Sequence, residues 1–318
     1  MKIIVLEADS VGSDVSWDKL SELGEVKLYD STPNELIAER IKDADIVAVN
    51  KCLMNEDSLK DAGSVKLICE AATGYNNVDI EYCRKRNIKV TNVRGYSTDV
   101  VAQHTFALLL NLVEKCDYYT NYVKSGAYSA GTSFSHVAKP FHELAGMTIG
   151  IAGMGAIGRK VSEIAVAFGM NVIYYSASGN KYDVPYEAVD FDTLLAESDV
   201  ISIHTPLTPT TQALFGKNAF EKMKKTAILL NLARGPIVVE KDLADALESG
   251  EIAAAGLDVY EKEPLPKDSA LLQITDCDRL MLTPHVAWGS VEARKRVVED
   301  VYLSIQAFIA GKPRNVVE

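Results

Sequence analysis

Arg234, Glu263 and His285 are the residues best suited by type and spacing to chemistry on a small anion. Each stands at the end of a segment that opens with an apolar run. Ile228–Pro236 carries Arg234, Ala255–Pro264 carries Glu263, and Leu282–Trp288 carries His285. In open α/β sheets ligands bind outside the C-terminal ends of strands, which is where these residues would stand. An imidazole has a reference pKa of about 6.5 and suits general acid work near neutral pH. A carboxylate partner, here Glu263, would orient the ring and stabilise charge on it. The planar fork of Arg234 matches a carboxylate and would help polarise a neighbouring carbonyl. Singly, each residue has an ordinary reading: a strand-end arginine is commonly in a surface ion pair, and a glutamate in an acidic loop is a solvated charge. Their joint spacing sets them apart.

A second constellation concerns phosphate. The strand-like run Met147–Ala152 enters Gly153-Met154-Gly155-Ala156-Ile157-Gly158, and an amphipathic helix leaves it. Ile157, Val161, Ile164, Ala165 and Phe168 repeat at helical spacing, and Gly169 is placed to stop the helix. In such a turn the first glycine permits the tight bend and the second lets a pyrophosphate approach the backbone. The third lets helix and strand pack closely. The helix N-terminus offers N–H groups and a positive dipole end, so the segment reads as a dinucleotide site. The next strand, Asn171–Tyr175, lacks the usual terminal acid and runs into Ser176-Ala177-Ser178-Gly179-Asn180-Lys181. No carboxylate there repels a 2′-phosphate and no arginine grips one, so NAD and NADP both stay open.

The elements that must position these residues alternate between strand and helix. Strands are expected at Lys2–Glu7, Val26–Tyr29, Asp45–Val49, Lys66–Glu70 and Lys89–Asn92. Helices are expected at Trp17–Leu23, Pro33–Ile41, Asn55–Ala62 and Ile80–Arg86. A long helix over Val100–Lys115 follows, then a stretch without clean period, Tyr118–Glu143. A second alternating series runs from Thr148 to about Leu282, and a last helix spans Ser290–Ala310. This pattern predicts α/β architecture with two doubly wound parallel-sheet (Rossmann/flavodoxin-like) domains and an active-site cleft between them. Residues 1–98 plus 288–318 form the expected substrate domain, and 99–287 the NAD(P)-binding domain.

Bulk properties narrow the class. At 318 residues two domains are expected, and no run approaches the roughly 20 apolar residues of a membrane span. The start Met1-Lys2-Ile3-Ile4-Val5-Leu6 reads as a core strand, without an export leader. Five scattered cysteines suit reduced thiols in a cytoplasm. A formal charge of −11 argues against a nucleic-acid surface and requires local positive charge for any anionic substrate. No ligand-spaced cluster suggests a metal.

Together these segments resemble the D-isomer-specific 2-hydroxyacid dehydrogenase family over essentially the whole chain. Asn50-Lys51, Ala71-Ala72-Thr73-Gly74-Tyr75-Asn76-Asn77-Val78-Asp79 and Gly95-Tyr96-Ser97-Thr98 resemble its hydroxypyruvate reductase (glycerate dehydrogenase) branch. The resemblance implies reversible NAD(P)-dependent reduction of a 2-keto acid to the D-2-hydroxy acid, with hydroxypyruvate or glyoxylate leading. It implies that the backbone at Thr73-Gly74 holds the substrate carboxylate beside Arg234, with Lys51 nearby. Implied cofactor contacts are Met154 to Ile157, Ser176, His204, Thr205, Pro206, Leu232, Ala233, Asp258, His285 and Ala287, with Asp258 at the carboxamide and Thr98 near the nicotinamide. Trp288 reads equally as pocket wall or plain core. His104 reads as packing or an interdomain hydrogen bond, and His136 and His142 as facing solvent or a partner. The family and the aromatic residues of the insertion together imply a homodimer. A D-lactate-type or bulky hydroxy-acid dehydrogenase is the alternative substrate class. A non-catalytic dinucleotide sensor is the alternative outside enzymes, and the intact Arg234, Glu263 and His285 argue against it.

Overall fold

The computed structural model describes residues 1–317 and divides into two compact units, Met1–Ser97 with the segment from Gly289 onward, and Thr98–Trp288. Thr98 and Trp288, assigned from sequence to the first unit, both fall in the second. Thr98 does so because it begins the helix Thr98–Glu114.

In the first unit the strands are β1 (Lys2–Val5), β2 (Glu25–Leu28), β3 (Ile46–Val49), β4 (Leu67–Glu70) and β5 (Lys89–Asn92). They form one parallel sheet in the order β2-β1-β3-β4-β5. β3 and β4 are buried along their whole length, as parallel strands covered on both faces must be, whereas edge strand β2 is largely exposed. Local capping marks the helices. The Asp79 side chain accepts from the Tyr82 N–H at 2.9 Å, and that of Ser290 accepts from the Ala293 N–H at 3.2 Å, starting Ile80–Lys85 and Val291–Ile309.

The second unit's strands are β6 (Thr148–Ala152), β7 (Asn171–Tyr175), β8 (Glu187–Ala188), β9 (Val200–Ile203), β10 (Ile228–Asn231), β11 (Ala254–Leu257) and β12 (Leu280–Leu282). They form a parallel sheet in the order β12-β11-β10-β9-β6-β7-β8. The order reverses between β6 and β9, the position at which doubly wound sheets bind ligands. Helix Ala156–Ala167 buries Gly158, Val161, Ser162 and Ala165, and Gly169 beyond it takes a φ of +77°. Helix Thr98–Glu114 packs on one face of this sheet through Val101, Leu108, Leu109 and Leu112, and its Phe106 stacks on Phe168 at 5.3 Å.

Two expectations need correction. The segments read as helices Trp17–Leu23 and Pro33–Ile41 form short 3₁₀ turns at Asp18–Glu22 and Asn34–Leu36, with α-helix only over Ile37–Ile41. The stretch read as irregular after Tyr118 instead contains helix Cys116–Lys124 and a helical turn at Ala127–Ala130. Helix Cys116–Lys124 buries none of its residues, so no apolar period signals it. Tyr118 stacks on Tyr122 one turn away, and His136 stacks on Tyr122 with centroids 3.7 Å apart. His136 is thus engaged within the chain, and its Nε2 lies 2.9 Å from the Tyr118 hydroxyl. No helix among the described residues is long and apolar enough to cross a membrane.

Leu230 lies fully buried in β10, the strand that leads to Arg234. Leu230→Ala is expected to lower the unfolding free energy by about 2–5 kcal/mol in a urea titration, with the loss set by the cavity left behind.

Candidate active site

Because every strand of the second sheet runs the same way, the segments after β6, β9, β10, β11 and β12 leave from one edge. Those segments carry the glycine turn, His204, Arg234, Glu263 and His285 respectively.

His285 and Glu263 meet directly: imidazole Nδ1 lies 2.7 Å from Glu263 Oε2. Both side chains are about one-third exposed, at 31% and 34%. An ionised Glu263 accepts a hydrogen bond from Nδ1–H, which selects the tautomer and directs Nε2 to outside chemistry. The backbone of His285 has a φ of +54°, an uncommon conformation for a residue with a Cβ. It is held by a neighbour the sequence reading reserved for the cofactor. Asp258, only 1% exposed, accepts from the Val286 N–H and the Thr283 hydroxyl through Oδ1, at 2.8 and 2.6 Å, and from the Ala287 N–H through Oδ2 at 2.8 Å. His104 Nε2 stands 3.1 Å from Thr283 Oγ1, so its bond lies within the second unit instead of between units.

Tyr260, which sequence reasoning passed over, ties the pieces together. Its hydroxyl donates to the Thr283 carbonyl at 2.8 Å, and its N–H donates to Glu263 Oε1 at 3.1 Å. Burial, reinforced by the charges of Asp258, Glu263 and Glu240, pushes its phenol up to about 12, so the hydroxyl keeps its proton. Gly235, next to Arg234, lies against the same backbone: an added Cβ would come within 1.8 Å of the Tyr260 carbonyl. The buried Asn231 side chain braces the intervening turn, donating to the Arg234 carbonyl at 3.0 Å and accepting from the Ala233 N–H at 3.1 Å. The only sequence signal for Tyr260 is its place between a buried strand and an acidic loop.

The glycine turn separates into structural and open positions. A Cβ on Gly153 (φ +105°) would meet Thr205 N at 2.6 Å, and one on Gly158 would meet the Gly153 carbonyl at 2.2 Å. A Cβ on Gly155 would meet nothing within 4 Å. Helix Ala156–Ala167 also has no side chain capping its first N–H groups. Open space beside uncapped N–H groups fits a pyrophosphate. Met154 is fully buried beneath this turn and Ile157 partly so, which leaves backbone as their contribution; Ala156 is exposed. Thr205 and Ala287 are buried, Leu232 is 7% exposed, and Pro206 is exposed.

His204 bonds Ser202 Oγ through Nε2 at 2.8 Å, and its buried Nδ1 has no partner among the described residues. Burial pushes it down to about 3, so it stays neutral and is no source of protons. Ser176 Oγ lies 3.2 Å from Ser178 Oγ, and the Arg159 guanidinium stands 5.6 Å from the ring of Tyr182, next in sequence to Lys181. Trp288 is partly buried.

In the first unit, Lys51 is exposed at the end of β3. The loop after β4 holds Thr73 by two bonds: its hydroxyl donates to the Val93 carbonyl and its carbonyl accepts from Asn92 Nδ2, both at 2.8 Å. Gly74 follows in the same loop, partly buried.

Residues 106–287 match the model of the D-isomer specific 2-hydroxyacid dehydrogenase NAD binding domain. The chain is 38% identical over 320 residues to a glycerate dehydrogenase of Methylorubrum extorquens, covering 100% of this chain and 99% of that one. It is 38% identical over 323 residues to a hydroxypyruvate reductase of Blautia hydrogenotrophica, with coverage of 100% and 99%. A crystal structure of a Thermus thermophilus protein superimposes with a TM-score of 0.90 at 31% identity, covering 100% of both chains.

The unequal glycines make a paired expectation. Gly155→Val should weaken dinucleotide binding at least tenfold in a fluorescence titration while keeping stability within about 1 kcal/mol of wild type, the scale of a capping change. Gly158→Val should destabilise by about 1–3 kcal/mol through overpacking.

Proposed function

The chain belongs to the D-isomer specific 2-hydroxyacid dehydrogenase family, and from that premise we propose that it reduces hydroxypyruvate or glyoxylate with a nicotinamide dinucleotide. The product is the D-2-hydroxy acid. The observation that carries this reading is the 2.7 Å pair of His285 and Glu263 on the strand-end edge that also bears Arg234. The names of its relatives, glycerate dehydrogenase and hydroxypyruvate reductase, support the choice of substrate.

When bound, the nicotinamide supplies the hydride. The chain's own residues do the rest. The Arg234 guanidinium takes the substrate carboxylate in its fork and draws electron density from the adjacent carbonyl. The proton for the carbonyl oxygen comes from His285 Nε2, and Glu263 keeps the ring turned so that Nε2 faces the reaction. Glu263 also stabilises the charged ring before transfer. With nearly a third of the imidazole side chain exposed, solvent replaces the proton after each turnover. Run backwards, the neutral ring accepts the hydroxyl proton.

The proposed cofactor seat is the turn Gly153–Gly158 with Ser176, His204, Thr205, Pro206, Leu232, Ala233, Asp258, Ala287 and Thr98. The proposed substrate contacts beside Arg234 are Lys51, the Thr73-Gly74 backbone and Trp288. Ser176, Ser178 and Lys181, with Arg159 over Tyr182, support acceptance of NADPH as well as NADH. A homodimer is supported by the apolar surface beyond helix Cys116–Lys124, where Phe134 is 92% exposed and Val137 76%.

Purified protein is expected to oxidise NADH or NADPH with hydroxypyruvate and glyoxylate faster than with pyruvate or phenylpyruvate. His285→Ala should lower kcat by about 10²–10⁴-fold. Dinucleotide binding without turnover on any of these keto acids would contradict the reading. For assembly, Phe134→Glu with Val137→Glu should shift a light-scattering mass from dimer to monomer; a wild-type monomer would contradict the dimer.

A further inference from the structure

Two acids stand at the C-terminal edge of the first unit's sheet, and neither belongs to the reaction described above. Glu7, just after β1, accepts through Oε2 from the N–H groups of Asn50, Lys51 and Cys52 at 2.8, 2.8 and 3.0 Å. It thereby shapes the turn that presents Lys51. Glu70, the last residue of β4, is fully buried. Its Oε2 accepts from Asn77 Nδ2 at 2.9 Å, and its buried Oε1 has no partner among the described residues.

Asn77 is the link between two loops. Its side-chain nitrogen also donates to the Cys52 carbonyl at 3.1 Å, and its own carbonyl accepts from the Met54 N–H at 2.8 Å. Held by Glu70, Asn77 therefore locks the loop after β4, with Thr73 and Gly74, to the loop after β3, with Lys51. An ionised carboxylate in that place would lie fully buried with one oxygen unbonded, an arrangement strongly disfavoured by lost solvation. Burial pushes Glu70 up to about 9, outweighing the Asn77 hydrogen bond and the charge of Lys51, while Glu7 pushes the same way.

The other charged groups nearby are engaged elsewhere. Asn92, paired with Glu70 across β4 and β5, donates from Nδ2 to the Thr73 carbonyl and accepts through Oδ1 from Arg94 Nε. Asp300, on the helix Val291–Ile309 packed against β4, is engaged by Arg314 and Asn315.

We propose that Glu70 is a positioning residue that acts through Asn77, as an uncharged acid, to set the Lys51 and Thr73-Gly74 loops for the substrate carboxylate. This rests on the keto-acid reading given above. A neutral post holds the loops without placing negative charge behind an anion site; an ionised one would repel the anion.

Glu70→Gln keeps the shape and removes the ionisation, and Glu70→Leu removes the hydrogen bond to Asn77. With hydroxypyruvate at pH 7, Glu70→Leu should raise KM about tenfold with kcat within threefold, and Glu70→Gln should restore KM. Between pH 7 and 10 the wild-type KM should rise at least fivefold more than that of Glu70→Gln, which titrates all other groups alike. Urea unfolding supplies a readout free of substrate. Since the folded value lies above the unfolded one, Glu70's contribution is complete below about pH 4 and is lost as pH rises toward 9. The stability of Glu70→Gln relative to wild type should therefore climb over that window. Equal KM values in all three proteins, or a stability difference independent of pH, would overturn the proposal. Absence of wild-type turnover would overturn it through its premise, a failure distinguishable because it appears without any variant.

Discussion

The active end of the second unit depends on one buried carboxylate. Asp258 leaves β11 into a site where it is almost wholly removed from water, and its oxygens are satisfied there by accepting hydrogen bonds. It takes them from the Thr283 hydroxyl and the N–H groups of Val286 and Ala287. These three bonds hold His285 between them in its left-handed backbone conformation. The side chain's direction follows, and with it the meeting of Nδ1 and Glu263. Tyr260 carries the same constraint across to the next loop, and the absence of a Cβ on Gly235 lets the Arg234 turn lie against it.

The parts legible in the sequence were those carried by local pattern. Short apolar strands, the glycine turn and the joint spacing of Arg234, Glu263 and His285 all leave marks along the chain, and the parallel sheets follow from the first. What stayed hidden depends on contacts between distant segments. Nothing beside Asp258 in the sequence shows that its oxygens hold Val286 and Ala287. Nothing beside His104 shows that it bonds Thr283, more than 170 residues on. The helix Cys116–Lys124 was invisible for a different reason: tyrosine and histidine stacking supports it, and stacking leaves no apolar period.

The two units use buried acids in contrasting ways. Asp258 has both oxygens occupied by hydrogen-bond donors, which tie the loop to it. Glu70 has one oxygen bonded and one buried without a partner, and is held up in the neutral range by burial. In both, a strand of a parallel sheet delivers the carboxyl to the edge where loops gather, and the loops take their shape from it. The glycine turn follows the same economy, with Gly153 and Gly158 committed to packing and Gly155 left facing open space.

The claim at the centre of this account is that His285 and Glu263 act as one unit. A double-mutant cycle on kcat with His285→Asn, Glu263→Gln and both together tests it most directly. Acting as a unit, the pair should lose no more activity in the double variant than in His285→Asn alone. Losses that multiply, or a His285→Asn protein with wild-type kcat, would contradict it.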